Sequence, residues 1–292
     1  MKPFLLEVAE HTIQEYPSPE GLTFVFPNRR AILYFRKYLS SLLTGPAFSP
    51  KLLTIEDFVT GQSALKIPDK LELIHRLYKV YYQVINPAGT ADIEPFDHFY
   101  FWGDMLLRDF DEADRYMVNA SYLFRDLSHQ KELDSSFDFL TEEQRRFLKD
   151  FWGAFDEDLS PNKKKFLQVW KQLPEVYTRY RQHLHDHGLC YEGMLYREVA
   201  ERLRKGDIRT SQGEFVKFVG FNALTTSEEI IITELISKGA ATAHWDIDAY
   251  YFNNTVQEAG FFFRKYQQHA VLGKTFPADI PSNFVKKKTE AS

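Results

Sequence analysis

The clearest pattern in this chain is the stretch TFVFPNRRAILYFRKYL, which begins at Thr23. Its apolar start predicts a short buried strand, and Pro27 and Asn28 break that strand. Apolar residues then return at helical spacing, at Ala31, Leu33, Tyr34, Tyr38 and Leu39. The predicted strand, corner and helix place Arg29 and Arg30 beside the free backbone amides of a helix N-terminus, where anions bind readily.

Hydrophobic patterning divides the chain into zones. Residues 1–68 alternate helix and strand, residues 69–205 are predicted to be almost entirely helical, and strand patterning returns in 206–276. This order predicts an α/β fold with a mostly parallel sheet built from the two flanking segments, and an all-α subdomain inserted between them. Residues 277–292 do not close a sheet, so we expect a tail or linker after which the chain continues.

Periodicity also predicts the individual elements. Strands are expected near 24, at 51–55, 214–221 and 241–245, and helices at 4–16, up to 43, 95–116, 120–127, 141–155, 164–187, 192–205 and 225–237. Thr54, and either Thr225 or Thr226, are predicted to cap the helices that follow them. A further helix after residue 69 is predicted to bury a single stripe of residues, formed by Leu71, Ile74, Leu77, Tyr78 and Tyr81.

Composition limits the class of protein. A chain of 292 residues with 44% hydrophobic content can form one large or two ordinary domains. Its formal charge of -5 excludes a wholly basic binder, so any nucleic-acid surface must be local. The single cysteine, Cys190, excludes an internal disulfide and a Cys-rich metal site. No apolar run is long enough for a membrane span and no signal peptide is evident, so we expect a cytoplasmic protein without a membrane partner.

A nucleotide-driven motor requires a phosphate-binding loop of the form G-x-x-x-x-G-K-[ST] between a strand and a helix. No such loop precedes the strand near residue 24. The tripeptide that starts at Gly273 and continues with Lys274 and Thr275 has Gln268 where the earlier glycine is needed, and it leads towards Pro277. The strand at 214–221 ends in Gly-Phe rather than in an acidic pair for a metal ion. We therefore predict that this segment does not hydrolyse ATP.

An acidic cluster in the helix at 95–116 is a candidate metal or acid–base site. It comprises Asp104, Asp109, Asp111, Glu112 and Asp114. Because arginines lie four residues after two of these carboxylates, a salt-bridged surface is the favoured interpretation.

Two smaller clusters have simpler explanations than catalysis. His183 and His187 share a helix face, but no third metal ligand is evident, and a helix C-terminus favours such cations. Asp246 and Asp248 follow a strand, where aspartates commonly cap the next turn. Cys190 has no partnered histidine and acid at motif spacing, so packing is favoured over nucleophilic chemistry. We predict no catalytic residue and no metal ligand in this segment.

Five segments together resemble one known family. They are TFVFPNRRAILYFRKYL, FYFWGDMLLRDFDEADRY, FLTEEQRRFLKDFW, GLCYEGMLYREVAE and FVGFNALTTSEE. As a set they resemble the N-terminal helicase-like region of AddB-type helicase-nuclease proteins of the Bacteroidetes type, which carry a PD-(D/E)XK nuclease domain near their far end. The resemblance implies a RecA-like, P-loop NTPase-like sheet with a large all-α insertion. It also implies a longer parent protein that processes DNA ends for recombinational repair.

The same resemblance implies roles for four residues. Pro27, Asn28, Arg29 and Arg30 occupy the place of helicase motif Ia, which contacts the backbone of single-stranded DNA. The implied partners are single-stranded DNA or DNA ends and a partner helicase subunit. No cofactor is expected in this segment, whereas the parent exonuclease would use Mg²⁺ and ATP. Three alternatives stay open: the arginines only solvate a helix start and pair with nearby carboxylates, the segment is a scaffold for the helicase subunit, or downstream residues complete an active ATPase.

Overall fold

The computed structural model describes residues 2–16, 18–88, 95–120, 123, 161–208 and 215–282. The chain divides into two compact units, Met1–Ala64 with Leu195–Ser292, and Leu65–Met194. The helices are α1 Phe4–Glu15, α2 Arg29–Leu42, α3 Ile55–Thr60, α4 Lys70–Ile85, α5 Phe96–Arg115, α6 Pro161–Asp186, α7 Glu192–Lys205, α8 Thr226–Ser237, α9 Ala249–Asn253 and α10 Phe261–Gln268.

The first unit is built on a four-stranded parallel sheet. Its strands are β1 Leu22–Phe26, β2 Lys51–Thr54, β3 Phe215–Val219 and β4 Ala241–His244. They are arranged in the order β2-β1-β3-β4, and every neighbouring pair is parallel. The predicted α/β class with a parallel sheet is therefore confirmed.

Strand β1 lies at the centre of this unit, and all five of its residues are buried. Both faces of a central parallel strand are covered, which explains its continuous apolar sequence. On one face, Phe24 and Phe26 contact the ring of Phe35 from α2 at centroid distances of 4.7 and 5.2 Å, and α1 packs beside them. On the other face, Phe58 of α3 contacts Phe218 of β3 at 5.8 Å.

The second unit contains α4, α5 and α6, and α4 packs against both other helices. The buried stripe of α4 differs from the predicted one, because Leu71 is 57% exposed. The buried residues of α4 are Leu73, Ile74, Leu77, Val80, Tyr81 and Val84. At 3.6 residues per turn, Leu71 lies about 120° around the helix from Leu77, outside the face that meets α5 and α6.

Most predicted element boundaries agree with the structure to within three residues, and Thr54 and Thr225 form capping boxes. The predicted helices at 120–127 and 141–155 fall mainly outside the described residues, as do 283–292 of the tail. The division between the units falls inside α7, at 194 and 195, whereas the sequence places the end of the insertion at 205.

Candidate nucleic-acid interface

The corner Pro27–Arg30 lies at the point where the strand order of the sheet reverses. From β1 the chain proceeds through α2 to β2 on one side, and from β3 it proceeds through α8 to β4 on the other side. Open α/β sheets bind ligands at the carboxyl ends of the strands that flank such a reversal. The corner follows the carboxyl end of β1 directly, and β1 pairs with β3. Topology thus places these residues at the edge where a ligand site is expected.

Asn28 shapes the corner as the N-cap of α2. Its backbone is extended, and its side-chain Oδ1 accepts a hydrogen bond of 3.0 Å from the backbone N–H of Ala31. Arg29 and Arg30 therefore occupy the first turn of the helix, where the backbone N–H groups have no intrahelical acceptor. The predicted arrangement of strand, corner and helix is confirmed. The structure shows that Asn28 caps α2, and its role in binding DNA stays a prediction.

The cations of α2 are exposed, and the described part of the chain gives them no ion-pair partner. The helix carries Arg29, Arg30, Arg36 and Lys37, and it contains no acidic residue. None of the four forms an ion pair with any residue that the structure describes. In the rest of the described chain, arginines such as Arg76 do pair with acids one turn away. The alternative in which Arg29 and Arg30 pair with nearby carboxylates therefore has no support among the described residues.

A cleft of 660 Å³ opens at the carboxyl ends of β3 and β4, at the same edge of the sheet. Glu7, Asn222, Asp246 and Asp248 are among its polar lining residues. Desolvation, followed by repulsion from Glu7 and Asp248, raises the pKa of Asp246. Asp248 accepts a hydrogen bond from the N–H of Tyr250 and caps α9, as predicted. Three carboxylates face a single cation, Lys2, in this lining, so the cleft does not extend the cationic corner.

The tripeptide that starts at Gly273, which partly matches a phosphate-binding loop, lies beside this cleft. It forms a short 3-10 helix, Leu272–Thr275, that follows α10 rather than a strand. The hydroxyl of Thr275 accepts a hydrogen bond of 2.8 Å from the indole N–H of Trp245 and donates one of 2.7 Å to the carbonyl of Leu272. Both hydrogen bonds hold this hydroxyl in the core beside Trp245. The side chain of Trp245 is buried, as predicted.

Two titratable side chains of the sheet were not singled out from the sequence. Lys217, in the middle of β3, is 1% exposed. Its Nζ lies 4.6 Å from the ring centroid of Tyr16 and donates a hydrogen bond of 3.0 Å to Oε2 of Glu15. This hydrogen bond lowers the pKa of Glu15. At the end of β4, Nε2 of His244 is buried without a hydrogen-bond partner in the described structure, and desolvation followed by the charge of Lys217 lowers the pKa of this imidazole to about 4.

The acidic cluster of α5 is only partly the predicted salt-bridged surface. Asp104 pairs with Lys70 and Arg108, and Asp111 pairs with Arg115, as expected for a helix surface. The prediction is wrong for Asp114, which is fully buried.

Asp114 is buried because distant residues of the second unit surround its carboxylate. It accepts hydrogen bonds from the hydroxyls of Tyr177 and Tyr191, and Nε of Arg181 lies 3.5 Å from its Oδ2. A buried carboxylate requires such partners, since an isolated charge in the interior is costly. This network is structural, because hydroxyl and guanidinium groups compensate the charge.

The two histidines and the cysteine that were weighed as candidate sites are in contact with other side chains or buried. The rings of His183 and His187 lie 4.4 Å apart, and Cys190 is buried as predicted. Among the described residues, no group of three or more histidine, cysteine or acidic side chains is placed to hold a metal ion.

The described helices include none that is long and apolar enough to cross a membrane. No protein-family model matches the chain, and a search of curated proteins found no match.

Proposed function

We propose that this chain is a DNA-binding, ATPase-inactive segment with a RecA-like fold and a helical insertion, belonging to an AddB-type helicase-nuclease that processes DNA ends for recombinational repair. The observation that carries this proposal is the corner Pro27–Arg30. It presents two exposed arginines, without ion pairs among the described residues, at the reversal point of a parallel sheet.

The chemistry of the corner suits a phosphate backbone rather than bases. Guanidinium groups bind phosphate oxygens in a bidentate manner, and the free amides of a helix N-terminus add partial positive charge. Such contacts position a strand without reading its sequence. The net charge of the chain is negative, so the attraction is confined to this surface and falls with salt.

Two features support the absence of a motor in this segment. Strand β1 leads into Pro27 and Asn28 instead of a glycine-rich loop with a lysine. The tripeptide at Gly273 follows a helix, and the Thr275 hydroxyl is engaged by Trp245. We therefore expect that ATP and Mg²⁺ act elsewhere in the parent protein and that this segment guides a strand towards its nuclease.

The direct test is fluorescence-anisotropy titration of the chain with labelled single-stranded DNA over a series of salt concentrations. We expect Arg29→Ala with Arg30→Ala to weaken binding about tenfold or more at low salt. Because each phosphate contact on a single strand contributes about 0.7 to the slope of log K against log salt, the slope should fall in magnitude by about 1.4.

The matched control is Arg204→Ala with Lys205→Ala. These residues are exposed at the end of α7, and their loss removes the same charge from the same unit. The control should leave affinity and salt slope unchanged. The proposal fails if the Arg29 and Arg30 variant binds as the wild type does, or if both double variants weaken binding equally.

A second candidate function is a scaffold that binds the helicase subunit. The observation in its favour is an apolar surface on α5, where Phe101 is 77% and Met105 is 55% exposed, one helical turn apart. Pull-down with the helicase subunit, using Phe101→Ala with Met105→Ala, separates the two functions. Capture that this variant abolishes, together with no DNA binding by the wild type, would favour the scaffold.

A further inference from the structure

The outer face of α2 combines cations with exposed apolar side chains. Ile32, Phe35 and Leu39 are buried and pack towards the sheet. On the opposite side, Leu33 is 64% and Tyr34 is 51% exposed. They lie between the arginine pair at the start of the helix and a second cationic pair, Arg36 and Lys37, which is also exposed.

The spacing along this face is regular. Arg30, Tyr34 and Lys37 follow one another at i, i+4 and i+7, so they form one row on the helix surface. At 1.5 Å per residue, the two cationic pairs are about 10 Å apart along the axis, with Tyr34 near the middle. The ring of Tyr34 contacts the ring of Tyr38 at a centroid distance of 6.5 Å, which orients it on the surface.

The charges of this face restrict what it can bind. Four exposed cations without an acidic neighbour on the helix, and without ion pairs among the described residues, form a positive surface that attracts a polyanion. An exposed tyrosine between cationic pairs offers a stacking surface, and every unpaired base has a face that can stack on it. In a duplex the bases already stack on one another, so only a single strand can use both features.

We propose that the outer face of α2 extends the corner into a clamp for single-stranded DNA. The arginine pair contacts two phosphates of one strand, the pair Arg36 and Lys37 contacts two more, and Tyr34 stacks on a base between them. This inference rests on the proposed function, which it deepens by assigning a binding mode and a preference for unpaired bases. Discrimination against duplex DNA is then a property of Tyr34, whereas the salt dependence is a property of the four cations.

Tyr34→Ala and Tyr34→Phe test the stacking contact. The ligand is an oligothymidylate that contains one 2-aminopurine, whose fluorescence is quenched when it stacks. We expect Tyr34→Ala to weaken binding about 5- to 150-fold and to abolish part of the quenching, with no change in the salt slope because no charge is removed. Tyr34→Phe retains the ring and should bind and quench as the wild type does. Binding to a blunt duplex should be unaffected by either variant.

Two further variants complete the design. Tyr116→Ala is the matched control, because Tyr116 is 53% exposed and lies in the other unit; it should change neither binding nor quenching. Arg36→Ala with Lys37→Ala should lower the magnitude of the salt slope by about 1.4, as two lost phosphate contacts require. Thermal melting of each variant confirms that the exposed substitutions leave the fold intact.

The outcomes separate this inference from the function on which it rests. If the Arg29 and Arg30 variant loses affinity while Tyr34→Ala binds and quenches like the wild type, the clamp is wrong and the proposed function survives. If the wild type does not bind single-stranded DNA at low salt, both fail. Binding of an RNA oligonucleotide of the same sequence at least tenfold more tightly would overturn the assignment to DNA.

Discussion

His244 and Lys217 show how single residues inside the sheet can set the pH response of the protein. Both side chains belong to strands of the parallel sheet, where positions on the covered faces are normally apolar. Lys217 is nevertheless buried, and it satisfies its charge with Glu15 and the ring of Tyr16. The described residues offer no such partner to Nε2 of His244, so burial and the neighbouring lysine favour its neutral form.

We therefore expect His244 to reduce the free energy of unfolding as the pH is lowered from about 6.5 to about 4. The unfolded chain binds a proton at His244 near pH 6.5, whereas the folded chain binds it only near the lowered pKa of about 4. Stability from this group is fully present above the unfolded pKa and is lost as the pH falls through this window, by up to about 3 kcal/mol. Urea denaturation at several pH values measures it.

The variant His244→Gln removes the titrating group, so its loss of stability between pH 7 and pH 4 should be smaller than that of the wild type. His98→Gln is the control, because this histidine has a side chain that is 66% exposed. Equal pH dependence in the wild type and His244→Gln would show that this imidazole does not govern the acid response.

At the scale of single residues, helix caps could be predicted from the sequence, whereas contacts between residues far apart in the sequence could not. Thr54 and Thr225 were predicted as caps, since a cap bonds to an amide three residues away. The burial of Asp114 depends on Tyr177 and Tyr191, which are 63 and 77 residues away in sequence. No periodicity within α5 reveals such partners.

At the scale of elements, α2 is the helix on which structure and proposed function meet. Its boundaries were predicted closely because Pro27 and Asn28 end β1 and because apolar residues return at helical spacing, at Ala31, Leu33, Tyr34, Tyr38 and Leu39. Its apolar residues were interpreted as a single set, whereas the structure buries some and exposes Leu33 and Tyr34. Which apolar side chains of α2 are buried depends on the side from which the helix meets the sheet, and the sequence pattern alone does not give that side.

Substitution of Asn28 separates the capping role of this residue from its electrostatic surroundings. Asn28→Ala loses the bond to the Ala31 amide and should lower the free energy of unfolding by about 1 kcal/mol. Asn28→Asp retains an acceptor and places a negative charge at the positive end of the helix, so stability should be kept or raised. The same charge repels phosphate, and single-stranded DNA affinity should fall.

Urea denaturation and anisotropy on the same samples measure these two effects. Asp69→Ala serves as the control, because Asp69 caps α4 in the other unit through the N–H of Glu72. Asp69→Ala should lower the free energy of unfolding by a similar amount without changing the affinity for single-stranded DNA. Undiminished binding of DNA by Asn28→Asp at low salt would mean that no phosphate approaches the corner.

At the scale of the whole molecule, the sequence predicts an α/β class but not the strand order. Apolar runs and intervening helices indicate parallel strands, and the return of strand patterning after residue 205 indicates that one sheet combines both ends of the chain. The order β2-β1-β3-β4 depends on which strands pair across long separations. The reversal between β1 and β3, which locates the candidate interface, became visible only in the structure.

The pairing of β1 with β3 also has a consequence for the time course of biosynthesis. Leu22 and Phe215 are register partners, although about 190 residues separate them in sequence. At translation rates of about 5–20 residues per second, roughly 10–40 s pass before β3 leaves the ribosome to cover that side of β1. During this interval the nascent chain has an apolar strand with an unpaired edge, which is the kind of surface that molecular chaperones shield from aggregation.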